Sequence, residues 1–151
     1  MVRSLEGKHP DYYEAIIQLR MPDQDIVTFV ESELARGKIP IVKVVEMKNG
    51  FDYYVADNSF SIGLGKHLQE RFGGELNVTS SLFGRRKGKE LYRVTVLYRK
   101  APFNKGDTVI YGGEEYIIKL MGKDIYLIGT KNKKKVHVRY RDMKLVKVKG
   151  D

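Results

Sequence analysis

Apolar and polar residues alternate near the start of the chain, over DYYEAIIQLR (residues 11–20). One face of this stretch is wholly apolar and consists of Tyr13, Ala15, Ile17 and Leu19. A period of two predicts a half-buried strand. Over residues 26–35 the apolar residues recur at helical spacing instead. Asp23 is placed to cap this helix and Gly37 to end it, so the chain begins with a strand and then a helix.

Two hairpins are also predicted. IPIVKVVEM (39–47) and FDYYVA (51–56) read as paired strands joined by the turn Lys48-Asn49-Gly50. Its Asn-Gly pair is expected to supply the positive φ angles of a tight turn. ELNVTSSLF and ELYRVTVLYR form the second hairpin around FGRRKGKE (83–90), which contains three adjacent cations between two glycines. The turn is expected to need both glycines, whereas turn chemistry does not demand the arginines.

A second helix is predicted between the two hairpins. Asp57 or Asn58 is placed to cap it, and Gly73-Gly74 to end it. Its apolar residues fall four apart, at Phe60, Leu64, Leu68 and Phe72. Spacing of this kind places one apolar face against a core.

The order of elements predicts two domains. Strand, helix, hairpin, helix and hairpin describe an α+β domain over residues 9–101, with two helices on one face of a mostly antiparallel or mixed sheet. Residues 1–8 are expected to form a flexible tail. From residue 102 to 151 the pattern changes to five short strands, DTVIY, EEYIIKLM, DIYLIG, KVHVRY and KLVKVK. Short strands without a helical pattern predict an all-β, closed SH3-like barrel.

Composition narrows the class of partner. The chain has no cysteine, which excludes disulfides and thiolate zinc sites, and no apolar run long enough to cross a membrane. Residues 83–151 carry nineteen Lys/Arg against seven Asp/Glu, whereas residues 1–36 carry four against seven. This polarity favours a polyanionic partner such as nucleic acid, and the alternative is charge that serves solubility alone. A cytoplasmic protein without a membrane partner is expected.

Residues suited to catalysis are scattered. His9, His67 and His137 fall on separate predicted elements, and none has an identifiable Ser or Cys partner. SIGLGKHL (61–68) imitates part of a phosphate loop, but Phe60 and His67 stand where that loop needs Gly and Ser or Thr. We therefore predict no enzyme, catalytic residue, metal, cofactor or small-molecule substrate. The two glycines of this helix are expected to allow another backbone to approach closely, and the alternative is a contact surface for a partner.

Two basic segments remain, both on predicted β hairpins. The candidate RNA-binding residues are Arg85, Arg86, Lys87, Lys89 and Arg93 in the first, and Lys131, Lys133, Lys134, Lys135, Arg139 and Arg141 in the second. Hairpin tips are often basic only because they are solvated, so either segment alone leaves both interpretations open. Aromatic residues that suit base stacking or core packing lie among them, at Phe83, Tyr92, Tyr98 and Tyr140.

Several blocks of the sequence resemble one family. They are HPDYYEAIIQLR, FDYYVADNSFSIGLGKHLQERFGGEL, SSLFGRRKGKELYRVTVLYR and KGDTVIYGGEEYIIK, and the likeness spans residues 9–149. The chain resembles the archaeal branch of the large-ribosomal-subunit export-adaptor family, historically named after nonsense-mediated decay. Members of that family begin with paired C-x-x-C zinc modules. Since this chain has no cysteine, we expect either a fragment that starts after the zinc region or a member that lost it.

The resemblance implies an α+β domain followed by an SH3-like domain similar to that of translation factor 5A. It also implies a non-catalytic biogenesis factor that binds the rRNA and ribosomal proteins of the large subunit late in its maturation, near the tRNA position. Export is not carried over, because the chain stops at Asp151, before the tail that bears the export signals in eukaryotic members. The alternative is a protein-interaction module whose SH3-like barrel binds a peptide.

Overall fold

Two five-stranded sheets organise residues 12–150, the range that this computed structural model describes, apart from the side chain of Arg86. The first sheet and its helices comprise β1 (Ala15–Arg20), α1 (Gln24–Arg36), β2 (Ile41–Met47), β3 (Gly50–Val55), α2 (Asn58–Phe72), β4 (Glu75–Arg86) and β5 (Lys89–Arg99). The rest comprises β6 (Thr108–Tyr111), β7 (Glu114–Met121), β8 (Ile125–Gly129), β9 (Lys135–Val138), a 3-10 helix (Tyr140–Leu145) and β10 (Lys147–Val148). The predicted tail, residues 1–8, lies outside the described residues.

The first sheet has the order β2-β3-β1-β5-β4. Its central strand β1 pairs antiparallel with β3 and parallel with β5, so the sheet is mixed. Ala15, Ile17 and Leu19 are fully buried on one face of β1, as their period of two predicts. Ile17 lies opposite Tyr53 in β3 and Val96 in β5, and both are also buried. This face of the sheet is therefore the core face.

Both α-helices cover that core face. In α1, Glu31 accepts a hydrogen bond from the hydroxyl of Tyr53 at 2.7 Å. In α2, a Cβ added to Gly65 would lie 2.6 Å from Val96 Cγ1, so the glycine lets the helix approach the sheet. A Cβ added to Gly63 would meet nothing within 4 Å. The α+β class is confirmed, and the prediction of a close approach is wrong for Gly63, because that residue turns away from the sheet.

Carboxylates cap the N-termini of both α-helices, as predicted. Asp23 Oδ1 accepts a hydrogen bond from the backbone N–H of Ile26 at 3.0 Å. Asp57 Oδ1 accepts one from the N–H of Phe60 at 2.8 Å. Each bond satisfies an N–H group that the first helical turn leaves without an intrahelical partner. The two helices therefore begin where their cap residues stand in the sequence.

The turn between β2 and β3 differs from the prediction. Met47 pairs with Gly50, so the loop consists of Lys48 and Asn49, and Gly50 belongs to β3 rather than to the turn. The positive φ falls on Gly50, at 153°, and not on Asn49. A Cβ added to Gly50 would lie only 1.8 Å from the carbonyl oxygen of Leu19, because β1 runs beside this end of β3. Pairing with β1, and not the turn type, requires the glycine.

The second sheet has the order β10-β6-β7-β8-β9, and all its pairs are antiparallel. Its core consists of the buried residues Ala101, Phe103, Val109, Tyr116, Ile118, Ile125, Leu127, Val138, Tyr140 and Val146. Within residues 12–150 no pairing joins β9 to β10, so the predicted closed barrel is not found. A closed barrel requires a hydrogen-bonded ladder between its first and last strands.

The segment after β9 explains why the sheet stays open. The sequence KLVKVK predicts a fifth strand over residues 144–149, but residues 140–145 form the 3-10 helix and only two residues form β10. The helix is fixed by Tyr140, which is buried and whose hydroxyl donates to the carbonyl oxygen of Gly122 at 2.9 Å. The chain therefore has too little extended backbone here to pair with both edges.

The described residues form two compact units. One contains residues 12–67 and 76–99, and the other contains residues 68–75 and 100–150. The end of α2 thus clusters with the second unit, where a Cβ added to Gly73 would lie 2.9 Å from the hydroxyl of Tyr140. The domain limits predicted from sequence texture place all of α2 in the first domain, and they stay a prediction.

Candidate nucleic-acid interface

The first basic segment surrounds the turn between β4 and β5. β4 ends at Arg86 and β5 begins at Lys89, which leaves a two-residue turn of Lys87 and Gly88 with φ angles of 51° and 77°. Two consecutive positive φ angles are typical of a type I′ hairpin turn, whose twist matches that of its strands. Gly84 lies within β4 instead, without a positive φ or a close neighbour. The prediction that both glycines serve the turn is therefore wrong for Gly84.

The described cations of this turn face solvent. Arg85, Lys87 and Lys89 are all exposed. Arg85 Nη2 lies 3.2 Å from Glu90 Oε1, and the two side chains are 67% and 42% exposed. An exposed pair of this kind contributes about 0–1 kcal/mol. The guanidinium of Arg85 can therefore exchange the Glu90 carboxylate for a phosphate at small cost. The side chain of Arg86 lies outside the described residues.

Arg93 has a different environment from the rest of the first segment. It precedes the core residue Val94 in β5, so it lies on the sheet face opposite the helices. Its guanidinium carbon lies 3.9 Å from the ring centroid of Tyr13 and 4.3 Å from that of Phe83. Its Nε donates to the carbonyl oxygen of Tyr13 at 3.1 Å. These cation–π and hydrogen-bond contacts stabilise the sheet, and a contact of Arg93 with RNA stays a prediction.

The second basic segment lies in the loop between β8 and β9 and beside it. Its four lysines, all exposed, are Lys131, Lys133, Lys134 and Lys135. The loop is closed by backbone groups, since the N–H of Gly129 donates to the carbonyl oxygen of Lys134 at 2.8 Å. The Asn132 side chain also accepts from the N–H of Lys134 at 2.9 Å. The lysine side chains are thus not needed to hold the loop and remain available for an anionic partner.

Arg139 and Arg141 flank the start of the 3-10 helix and are also exposed. Arg141 Nε lies 4.0 Å from Asp142 Oδ2, at the limit of an ion pair. Tyr140 between them points into the core, and its burial raises the pKa of its hydroxyl. The buried tyrosine therefore fixes the backbone from which the two arginines project.

The aromatic residues among the cations are mostly structural. Tyr98 is fully buried and Tyr140 is 5% exposed, so neither can stack on a base, which corrects that interpretation. Phe83 packs under the guanidinium of Arg93. Tyr92 is 43% exposed, and its hydroxyl donates to Glu90. Of these aromatic residues, Tyr92 therefore retains the most surface for a ligand.

The structure groups the predicted residues into two clusters. Arg85, Lys87 and Lys89 come together at one turn, and the four lysines come together at another loop, in the other compact unit. A family model described as NMD3, second domain, matches residues 12–99, which is more than half of the chain. The chain belongs to the NMD3 family. This family comprises non-enzymatic adaptors of ribosome biogenesis and export.

The match to the NMD3 family covers one of the two clusters. Residues 12–99 include β1 to β5 and therefore the turn at Lys87 and Gly88. The lysine loop between β8 and β9 lies outside the matched range. A comparison with curated proteins gives no match. Family membership thus rests on the first sheet and its helices.

Two features of other functional classes are absent from residues 12–150 of this NMD3-family chain. Among residues 12–150, no three His, Asp or Glu side chains are grouped to hold a metal ion. Neither α-helix in that range has the length and apolarity needed to cross a bilayer. His67 is exposed on α2, and His137 Nε2 lies 2.9 Å from Asp124 Oδ2 on the second sheet. These two histidines thus lie on different elements, as the sequence predicts.

Two aromatic clusters of this NMD3-family chain are not evident from the sequence. Next to the Arg93 site, Tyr13 meets Tyr54 edge to face at 4.9 Å, and Lys43 Nζ lies 4.4 Å from the Tyr54 centroid. On the second sheet, Tyr126 and His137 stack at 4.8 Å with an interplanar angle of 9°. Each cluster joins residues of different segments of the chain, so spacing along the chain gives no signal. The sequence feature that could have indicated these clusters is an aromatic residue at a solvent-facing position of a strand with alternating polar and apolar residues.

Proposed function

We propose that this chain is a non-catalytic biogenesis factor of the large ribosomal subunit that binds rRNA and ribosomal protein. Membership of the NMD3 family supports the ribosomal role. The observation that carries RNA binding is the pair of exposed basic clusters on separate hairpins. We further propose an archaeal, cytoplasmic protein with domains at residues 9–101 and 102–151, the second an open relative of SH3-like folds.

The two clusters suit phosphate in different ways. Arg85 and Arg86 at the β4–β5 turn supply planar guanidinium groups, which bind two phosphate oxygens at once. The lysines of the β8–β9 loop, together with Arg139 and Arg141, supply further charges. Clustered cations displace counterions from nucleic acid, so the clusters contribute affinity and register rather than sequence specificity.

Charge reversal in each cluster tests this proposal. We expect Arg85→Glu with Lys87→Glu, and separately Lys133→Glu with Lys134→Glu, to weaken binding to large-subunit particles at least about ten-fold. The matched control reverses two exposed lysines outside the clusters, Lys48→Glu with Lys66→Glu, for the same change in net charge. Intact binding in both cluster variants, or equal loss in the control, contradicts the proposal.

Protein binding is a second candidate function, and strand β2 favours it. This strand lies at the edge of the first sheet and exposes Ile41, Val44, Val45 and Met47 by 37–49%. Apolar residues on an edge strand are typical of strands that pair with another chain. Val44→Lys would block such pairing without touching the core. Loss of particle binding in this variant, with both charge-reversal variants intact, would favour protein recognition.

A further inference from the structure

The outer face of the second sheet carries large apolar side chains that its core does not use. In β7, Ile118 points into the core, and the pairing register shifts between Ile118 and Leu120. Because of this bulge, Lys119 and Leu120 are both exposed, and Leu120 lies opposite Tyr126 in β8. A bulge changes the direction in which a side chain points. Leu120 and Tyr126 are 49% and 39% exposed, which is high for residues of their size.

Tyr126 and His137 form a stack of two rings beside Leu120. They are directly opposed on β8 and β9, and their rings lie nearly parallel with centroids 4.8 Å apart. Asp124 Oδ2 lies 2.9 Å from His137 Nε2 and fixes the orientation of the imidazole. The His137 side chain nevertheless remains 53% exposed. A ring pair that is already ordered loses little conformational entropy when a planar ligand binds.

A groove of about 330 Å³ contains this ring pair. Its apolar walls include Ile128 and Val136, and Lys119 and Lys135 are its charged lining residues. No carboxylate lines it within the described part of the chain. Lys135 also ends the lysine loop, so the groove opens beside the second basic cluster. The groove therefore combines a stacked aromatic ring pair with positive charge.

We propose that this groove binds an unpaired base of single-stranded RNA. The base stacks on the Tyr126–His137 pair, and Lys119 and Lys135 contact the phosphates on either side. The inference rests on the proposed function, since it requires RNA at the lysine loop. Bases are accessible for stacking in loops and single strands and not in a duplex, so the target is an unpaired segment. The two lysines that line the groove favour a phosphate-linked base over an uncharged apolar peptide.

The test measures binding of the full chain to a labelled oligoadenylate of eight nucleotides at low salt. Tyr126→Ala removes the stacking ring, and we expect about five-fold to one-hundred-fold weaker binding. Tyr126→Phe keeps the ring and should bind within about two-fold of the original chain. Tyr92→Ala is the matched control, since Tyr92 is 43% exposed on the first sheet and outside the groove. Thermal melting of each variant shows whether it is folded.

A second measurement needs no substitution. Backbone amide shifts on titration with the oligoadenylate should concentrate at residues 119–120, 126–128 and 135–137. Equal affinity of Tyr126→Ala and the original chain overturns the inference, as does a failure of the original chain to bind the oligoadenylate. If the chain still binds large-subunit particles in a salt-dependent way, the proposed function stands even when the base-binding inference fails. If the chain does not bind the particles, both the proposed function and the inference are overturned. Shifts at the groove with an acidic peptide, and none with the oligoadenylate, would overturn RNA in favour of a peptide.

Discussion

At the residue scale, Gly50 is the glycine whose replacement should cost most. A Cβ there would lie 1.8 Å from the Leu19 carbonyl oxygen, and φ is 153°. We expect Gly50→Ala to lower the free energy of unfolding by about 3 kcal/mol or more, measured by urea denaturation. Gly63→Ala is the control, because Gly63 lies inside α2 with open space around it. That change should be neutral or stabilising by up to about 1 kcal/mol. Equal changes in unfolding free energy for Gly50→Ala and Gly63→Ala would contradict the predicted clash with the Leu19 carbonyl oxygen.

Arg93 offers a second test at this scale. Its guanidinium lies against two rings and its Nε binds the Tyr13 carbonyl oxygen. We expect Arg93→Ala to cost about 1–3 kcal/mol of unfolding free energy. Arg93→Lys should recover only part of this, because an ammonium lacks the planar fork. The exposed Arg139→Ala serves as control, with less than about 0.5 kcal/mol expected. A loss of unfolding free energy in Arg139→Ala as large as that in Arg93→Ala would contradict a stabilising role of the Arg93 contacts.

The sequence predicts single residues well when their partners are local. Asp23 and Asp57 bind N–H groups three residues further on, so their capping role is visible in the sequence. Arg93 binds a carbonyl group eighty residues away. The sequence marks it only as one cation among several, because nothing local indicates which strand lies beside β5.

At the scale of elements, Glu115 links β7 to two other segments. Its carboxylate accepts from Thr130 Oγ1 at 3.0 Å and binds Lys149 Nζ at 2.5 Å. The hydrogen bonds from Lys149 and Thr130 lower the pKa of this carboxyl below its ordinary 4.5. Because the folded pKa is the lower one, this stabilisation is present above about pH 4.5 and is lost as the pH falls through the folded pKa.

Replacement of Glu115 should therefore flatten the acid side of the stability profile. We expect Glu115→Gln to be less stable than the original chain at pH 7 and to lose less stability on acidification. Melting temperatures between pH 7 and pH 3 measure both effects. Glu114→Gln is the control, because this neighbouring carboxylate accepts a hydrogen bond from the uncharged hydroxyl of Tyr116. Parallel profiles for the original chain and Glu115→Gln would contradict the linkage.

The order of strands and helices follows from periodicity through most of the chain. Helix α1 and strands β1, β3 and β7 lie where apolar spacing predicts them, because period and burial are tied within one element. The predicted strand KLVKVK is confirmed only over Lys147–Val148, since residues 140–145 form a 3-10 helix. The alternation of valine and lysine there indicates only strand propensity. The hydrogen bond from Tyr140 to Gly122 fixes the backbone conformation of the preceding segment.

At the scale of the whole molecule, two basic clusters on separate units should act together. If six to ten phosphates are bound, affinity for large-subunit particles falls about a thousand-fold or more between low and moderate salt. Reversing either cluster should reduce the slope of log affinity against log salt by about two, and reversing both by about four. Binding curves over a salt series measure these slopes. A flat curve for the original chain would contradict phosphate recognition.

The sequence alone determined the α+β class, the helix caps and the position of both basic loops. Periodicity, side-chain chemistry and charge are properties of neighbours along the chain, so they need no tertiary information. Only the tertiary structure decided that the second sheet stays open, that Gly50 is demanded by β1, and that Tyr126 and His137 meet on one face. Each of these depends on which strands lie side by side and in what register. Strand neighbours and register are fixed by packing of the whole chain.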